Sequence, residues 1–164
     1  MRNKGLLIAA WLAAFAAFAQ AGDSEAPLQV RSDDWEADRA RDIAVFRGNV
    51  TIEKGSLRIE ADEVRLRTRD GEVQEGTIIG RPARFTQQPE GRERVEGEAE
   101  RIEYDAANGI VILTGRAWVR QQGDEIRSET IRYHIDDQRV TATSGERARE
   151  RVQITIQPRE QAGQ

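Results

Sequence analysis

Cysteine is absent from the 164 residues, and histidine occurs once, at His134. The chain therefore has no disulfide or thiol chemistry, and a transition-metal site built from Cys and His has almost nothing to draw on. His134 sits beside Tyr133 in an alternating run, with no nucleophile or orienting group signalled nearby, so it reads as a satisfied or solvent-facing strand residue rather than a catalytic base. No glycine-rich loop precedes a helix, which leaves nucleotide phosphates without a cradle. The acid pairs Asp33-Asp34, Asp62-Glu63 and Asp136-Asp137 are adjacent in sequence. Strand neighbours point to opposite faces, so such pairs do not converge on calcium or on a scissile bond. An enzyme working through paired carboxylates is disfavoured on the same ground, and no cofactor is expected.

Long apolar runs are also scarce, with one exception. Arg2 and Lys4 precede an uncharged stretch from Gly5 to Ala19 that ends in Ala19-Gln20-Ala21. A basic start, a short apolar run and small residues at a cleavage site make residues 1–21 a signal peptide, cut before Gly22. The alternative is a retained anchor, but the run falls short of the roughly 20 residues that a spanning helix needs. Removing 21 of 164 residues leaves 143, and removing Arg2 and Lys4 from 25 basic residues leaves 23 against 29 acidic, a net charge of −6. One domain is the natural size class. An acidic balance argues against nucleic acid, which needs a basic face. Of those 23 basic residues, 22 are arginine. They read as charge on solvated strand faces, or as guanidiniums set to meet phosphate or carboxylate.

What is abundant is alternation with period two: Val50 and Ile52, Leu57 and Ile59, Val64 and Leu66, Val152, Ile154 and Ile156. That period is a strand period. Breaks at Asp70-Gly71, Asn108-Gly109, Gly123-Asp124 and Asp136-Asp137 cut the runs as hairpin turns do. The fold class is all-β, with many antiparallel strands in residues 22–156. Residues 157–164 carry no apolar pattern and are expected to be disordered.

One short pattern occurs four times, as Ser32-Asp33-Asp34-Trp35, Ala61-Asp62-Glu63-Val64, Ala99-Glu100-Arg101-Ile102 and Ser128-Glu129-Thr130-Ile131, spaced by 29, 38 and 29 residues. Two positions before each small residue stand Val30, Ile59, Gly97 and Ile126; five positions after it stand Ala37, Leu66, Tyr104 and Tyr133. In the second copy the apolar parity slips by one, from Leu57, Ile59, Ala61 to Val64, Leu66. A strand keeps one face buried through such a slip by inserting an extra residue, so each copy predicts a bulge or corner with its acid turned to water. Gly48, Gly80, Gly115 and Gly145 recur between the expected bends, spaced by 32, 35 and 30 residues, where the backbone needs freedom or close approach. An offset of 67 residues superposes Gly48 on Gly115, Ile59 on Ile126 and Val64 on Ile131. Four bends in one sense imply a long curved sheet or jelly roll with an apolar concave side. That side either holds a ligand or simply fills its own core.

The segments Gly48-Asn49-Val50-Thr51-Ile52, Ile59-Glu60-Ala61-Asp62-Glu63-Val64, Gly80-Arg81-Pro82-Ala83-Arg84-Phe85, Val95-Glu96-Gly97-Glu98-Ala99 and Val111-Ile112-Leu113-Thr114-Gly115-Arg116-Ala117 resemble, in order and spacing, the LptA/OstA-like family of periplasmic lipopolysaccharide-transport proteins. The resemblance runs from about residue 27 to 145. It implies a twisted β-jelly roll, open at both ends, in the periplasm of a Gram-negative bacterium. It further implies a non-enzymatic carrier of lipopolysaccharide that joins copies of itself, inner-membrane-anchored domains and outer-membrane translocon domains into a bridge, with acyl chains inside. The family's lipid-contacting positions fall on Leu28, Val30, Phe85 and Tyr104. Strand parity adds Ile52, Ile59, Val64, Ile102, Ile131 and Tyr133. The edges for head-to-tail joining are expected near Pro27 to Ser32 and Val152 to Ile156. The competing reading is a periplasmic β-edge scaffold with a fully packed core and no lipid.

Overall fold

The computed structural model describes residues 25–88, 90–145 and 151–158. The signal peptide expected over residues 1–21 therefore lies outside the described residues, as does residue 159 onward of the tail. Ten strands form one antiparallel sheet: β1 (Gln29–Arg31), β2 (Asp34–Asp38), β3 (Ile43–Lys54), β4 (Leu57–Arg69), β5 (Glu72–Gln87), β6 (Val95–Asp105), β7 (Ile110–Gln121), β8 (Asp124–His134), β9 (Arg139–Thr143) and β10 (Gln153–Thr155). The all-β, jelly-roll-like open sheet expected from the sequence is what is found. All four breaks read from sequence fall between strands or, at Asp124, on the first residue of one; a further turn at Gly55-Ser56, with Gly55 at φ 56°, joins β3 to β4.

The six long strands, β3 to β8, pass from one half of the sheet to the other. Their pairing breaks register at the same level in every pair: between Arg47 and Val50, Glu60 and Glu63, Ile79 and Ala83, Glu98 and Arg101, and Thr114 and Ala117. These breaks form one crease across the sheet, which folds it into two leaves. The first leaf ends in β1 and β10, the second in β2 and β9.

The crease corrects one expectation. The extra residues do not sit in the small-acid copies. They sit opposite, on the glycine-bearing neighbours: Gly48-Asn49 faces Asp62, Gly80-Arg81-Pro82 faces Glu100, and Gly115-Arg116 faces Glu129. Gly48 and Gly115 adopt φ of 76° and 86°, the left-handed conformation that one common type of bulge uses and that glycine takes without penalty. Gly48, Gly80 and Gly115 are therefore part of the bends, not between them. Their missing side chains also leave space for the acids, since a Cβ on Gly48 would stand 2.5 Å from Asp33 Oδ2 and one on Gly115 would stand 2.7 Å from Glu100 Cβ.

On the convex side the acids bridge to those bulges. Asn49 Nδ2 donates to Asp33 Oδ2 at 2.8 Å, Arg81 Nε to Asp62 Oδ2 at 3.1 Å and Arg116 Nε to Glu100 Oε1 at 3.0 Å. Arginine elsewhere on the outer face is likewise matched by acid, as in Arg84 with Glu98 at 2.7 Å and Arg120 with Glu125 at 2.6 Å. Exposed pairs of this kind add little stability singly. Their consequence is that the outer face is charged, while the inner rows on either side of the crease are apolar.

Candidate functional site

Register turns the inner face into rows that run across the sheet. In the first leaf, successive cross-strand partners are Val30, Ile52, Ile59, Phe85, Gly97, Val119, Ile126 and Ile154. In the second leaf they are Trp35, Phe46, Val64, Ile78, Ile102, Leu113, Ile131 and Ala142. Each row crosses all eight strands of its leaf without a polar residue. At the usual strand separation of about 4.8 Å, seven steps span roughly 34 Å. A parallel row in the second leaf contains Leu66, Tyr104, Val111 and Tyr133.

The leaves meet in one apolar cluster that includes Ile52, Ile59, Val64, Phe85, Ile102, Ile131 and Tyr133, with Val30 and Tyr104 packed against it. Nine of the ten residues singled out from sequence are thus brought together. Leu28 is not in that cluster; it precedes β1 and is 40% exposed. Sequence reasoning passed over Trp35, although it is the fourth residue of the first repeat copy and heads the same row as Val64, Ile102 and Ile131. Ile126 was missed as well, although it stands two positions before the small residue of the fourth copy; Phe46, Ile78, Leu113 and Val119 were missed because they lie on strands or positions outside the repeat pattern.

At the two ends of the rows, large apolar side chains are left uncovered. Trp35 is 65% exposed at one end, and Ile154 and Ile156 are 58% and 68% exposed at the other. Strands β1, β2, β9 and β10 each have a single hydrogen-bonded neighbour among the described residues. The rows therefore stop in open edges rather than in caps.

The two tyrosine phenols near the interior are held protonated. Burial pushes the Tyr133 phenol up to about 12, which keeps it neutral at any physiological pH. Tyr104 is raised in the same sense, by burial first and then by Asp105 and Glu72. On the outer face burial works against the Glu98 carboxylate, but hydrogen bonds from Arg84 and from Trp118 Nε1 at 3.1 Å outweigh it and hold the carboxyl below its ordinary range. Trp118 also carries Arg120 and Arg127 guanidiniums at 5.2 and 5.5 Å from its ring centre. Among the described residues no group of three or more His, Asp or Glu is arranged to hold a metal ion. The arrangement offers apolar surface, continuous from edge to edge, and a charged exterior.

Fold and site together define the class: an antiparallel sheet creased into two leaves, apolar between them, charged outside and unpaired at both edges. The family described as LptA/(LptD N-terminal domain) LPS transport protein matches residues 29–139. The chain belongs to that family. It is 35% identical over 135 residues to the lipopolysaccharide export system protein LptA of Escherichia coli K12, covering 80% of this chain and 72% of that protein. It is 29% identical over 153 residues to the lipopolysaccharide export system protein LptH of Pseudomonas aeruginosa, covering 89% and 87%. The crystal structure of the latter, titled as the LptA-homologous periplasmic component of a lipopolysaccharide transport device, superposes with a TM-score of 0.72 at 28% identity, over 84% of this chain and 100% of that one.

Proposed function

We propose that this protein is a periplasmic carrier of lipopolysaccharide that shields acyl chains between its two leaves and works without catalysis. The observation that carries this reading is the pair of unbroken apolar rows ending at open edges. A methylene group moved out of water gains about 0.8 kcal/mol, so a twelve-carbon chain left exposed costs on the order of 9 kcal/mol. A surface that covers such chains along its whole width removes that barrier with no reacting group. The names of its relatives agree with this cargo and compartment.

Cleavage after Ala21 delivers the mature chain to the periplasm. The edges β1/β2 and β9/β10 then join head to tail with further copies and with the inner-membrane-anchored and outer-membrane translocon domains of the same system. Strand addition at an unpaired edge supplies the backbone hydrogen bonds of such a joint. The ten residues Leu28, Val30, Ile52, Ile59, Val64, Phe85, Ile102, Tyr104, Ile131 and Tyr133 are the proposed lipid contacts, with Trp35 added from the row it heads.

A photo-reactive residue at position 85 should cross-link to lipopolysaccharide, whereas one at the exposed outer position 116 should not. Equal labelling from both would contradict the inside and outside assignment. The complete burial of Val64, Leu113 and Tyr133 favours a second reading, a β-edge scaffold whose leaves stay packed. Lipid co-purifying with the protein, or its absence after gentle extraction from the host, separates the two.

A further inference from the structure

The inner face of the first leaf is apolar near the crease and polar at its free lip. Along β7 the inward positions run Ala117, Val119, Gln121, and Gln121 is the last before the turn at Gln122-Gly123. Its cross-strand partners are Val95 and Asp124, and Val95 is paired in turn with Gln87. Val95, Gln87 and Asp124 are 2%, 4% and 5% exposed. Asp124 is committed, because its Oδ1 accepts the backbone N–H of Gln157 at 2.6 Å. Gln121 differs: its Oε1 is buried and accepts no hydrogen bond, the one such side-chain atom among the described residues.

A buried acceptor without a donor is a net loss for the fold, and leucine or methionine at the same place would avoid it. The loss is relieved when a donor arrives with a ligand. The position says which part of a ligand that is. Rows closer to the crease are lined by Val119 and Phe85 and suit methylene groups, while the lip is where an acyl chain meets its polar end. We propose that Gln121 is a specificity-determining residue whose amide oxygen accepts a hydrogen bond from a hydroxyl or amide N–H carried at the polar end of an acyl chain. This rests on the carrier reading above.

The test is displacement of a fluorescent fatty acid from the purified protein by three probes: methyl dodecanoate, methyl 3-hydroxydodecanoate and N-methyldodecanamide. The unmodified protein should favour at least one donor-bearing probe over the plain ester by about two- to tenfold, the range a single hydrogen bond gives. Which probe gains identifies the donor. Gln121→Leu should bring that ratio to about one, with binding of the plain ester equal or tighter and the melting temperature equal or higher. Gln121→Met serves if the leucine variant does not fold. A preference that survives in the variants, or one that the unmodified protein never shows, overturns the proposal while leaving the carrier reading intact. Failure of all three probes to bind the unmodified protein removes the carrier reading, and this inference with it.

Discussion

Replacing Ile154 by Asp should weaken the proposed head-to-tail association about a hundredfold while leaving the single molecule almost as stable as before. Val152, Ile154 and Ile156 share one face of the last strand segment and are 38%, 58% and 68% exposed. Full burial of one such side chain is worth about 1.5–3 kcal/mol, so covering the exposed parts of all three gives about 2.5–5 kcal/mol of driving force at a joint. Aspartate at position 154 forfeits that residue's share and adds the cost of desolvating a carboxylate among apolar neighbours. At about 1.4 kcal/mol per tenfold, a combined loss of roughly 3 kcal/mol weakens association about a hundredfold.

In the isolated molecule the same side chain already faces water, and β10 pairs with β8 through only Gln153, Ile154 and Thr155. An exposed substitution there should therefore stay within about 0.5 kcal/mol of the parent stability. Sedimentation velocity over rising concentration, beside thermal melts, reads both quantities. Arg116→Ala, at the exposed crease, is the control and should associate as the parent does. Association of Ile154→Asp at the parent's concentrations would refute the edge argument, as would a parent that stays monomeric at every concentration, alone and with partner domains.

Gly97→Ala should be destabilising by about 1–3 kcal/mol, because a Cβ there would lie 2.5 Å from the Trp118 carbonyl oxygen and 2.7 Å from the Phe85 ring. Adding Phe85→Leu should recover only part of the loss in denaturant melts, since the carbonyl stays in place. Tyr133 has a folded-state value near 12 against about 10 when unfolded, so the folded state holds its proton longer and stability falls as pH rises from 10 to 12, by at most roughly 2–3 kcal/mol. Tyr133→Phe should flatten that alkaline slope; an unchanged slope counts against a buried phenol. Glu98 is shifted the opposite way, so its contribution is present above the ordinary carboxylate range and is lost as pH falls through its lowered value. Glu98→Gln should be less stable than the parent at neutral pH and should show a shallower acid transition.

The repeat carried more of the fold than its four copies announced. Val30, Ile59, Gly97 and Ile126, two positions before the small residue, all fall in one row of the first leaf. Trp35, Val64, Ile102 and Ile131 fall in one row of the second, and Ala37, Leu66, Tyr104 and Tyr133 in the next. A parity argument applied to one strand at a time could reach this, because a bend that keeps its inner face must repeat at the same level in every second strand. It could not place the bulges. Whether the extra residue belongs to Ala61-Asp62 or to Gly48-Asn49 depends on which residues lie opposite, and register is set by turns such as Gly55-Ser56 that the pattern does not weigh. Gln121 was illegible for a related reason. An isolated glutamine reads as solvated until its neighbours Val95 and Asp124 prove to be buried.

Unpaired edges are ordinarily a liability, and a closed eight-stranded barrel would remove them, but its interior would be filled by its own side chains. The creased sheet folds its two leaves together along a line of bulges and leaves both ends unpaired, so the inner rows can be prolonged by a second sheet instead of being sealed. The edges are limited in other ways. β1 and β10 are three residues long, and β2 turns Asp34, Glu36 and Asp38 away from the apolar rows while β9 turns Arg139 the same way. Two β2 edges brought together would oppose acid to acid, which disfavours head-to-head contact. In the joint proposed above, β2 against β9 opposes acid to base and brings the row that ends at Ala142 of one copy to the row that starts at Trp35 of the next. If copies join as proposed above, charge on the outside selects the one polarity in which the apolar rows follow on from copy to copy.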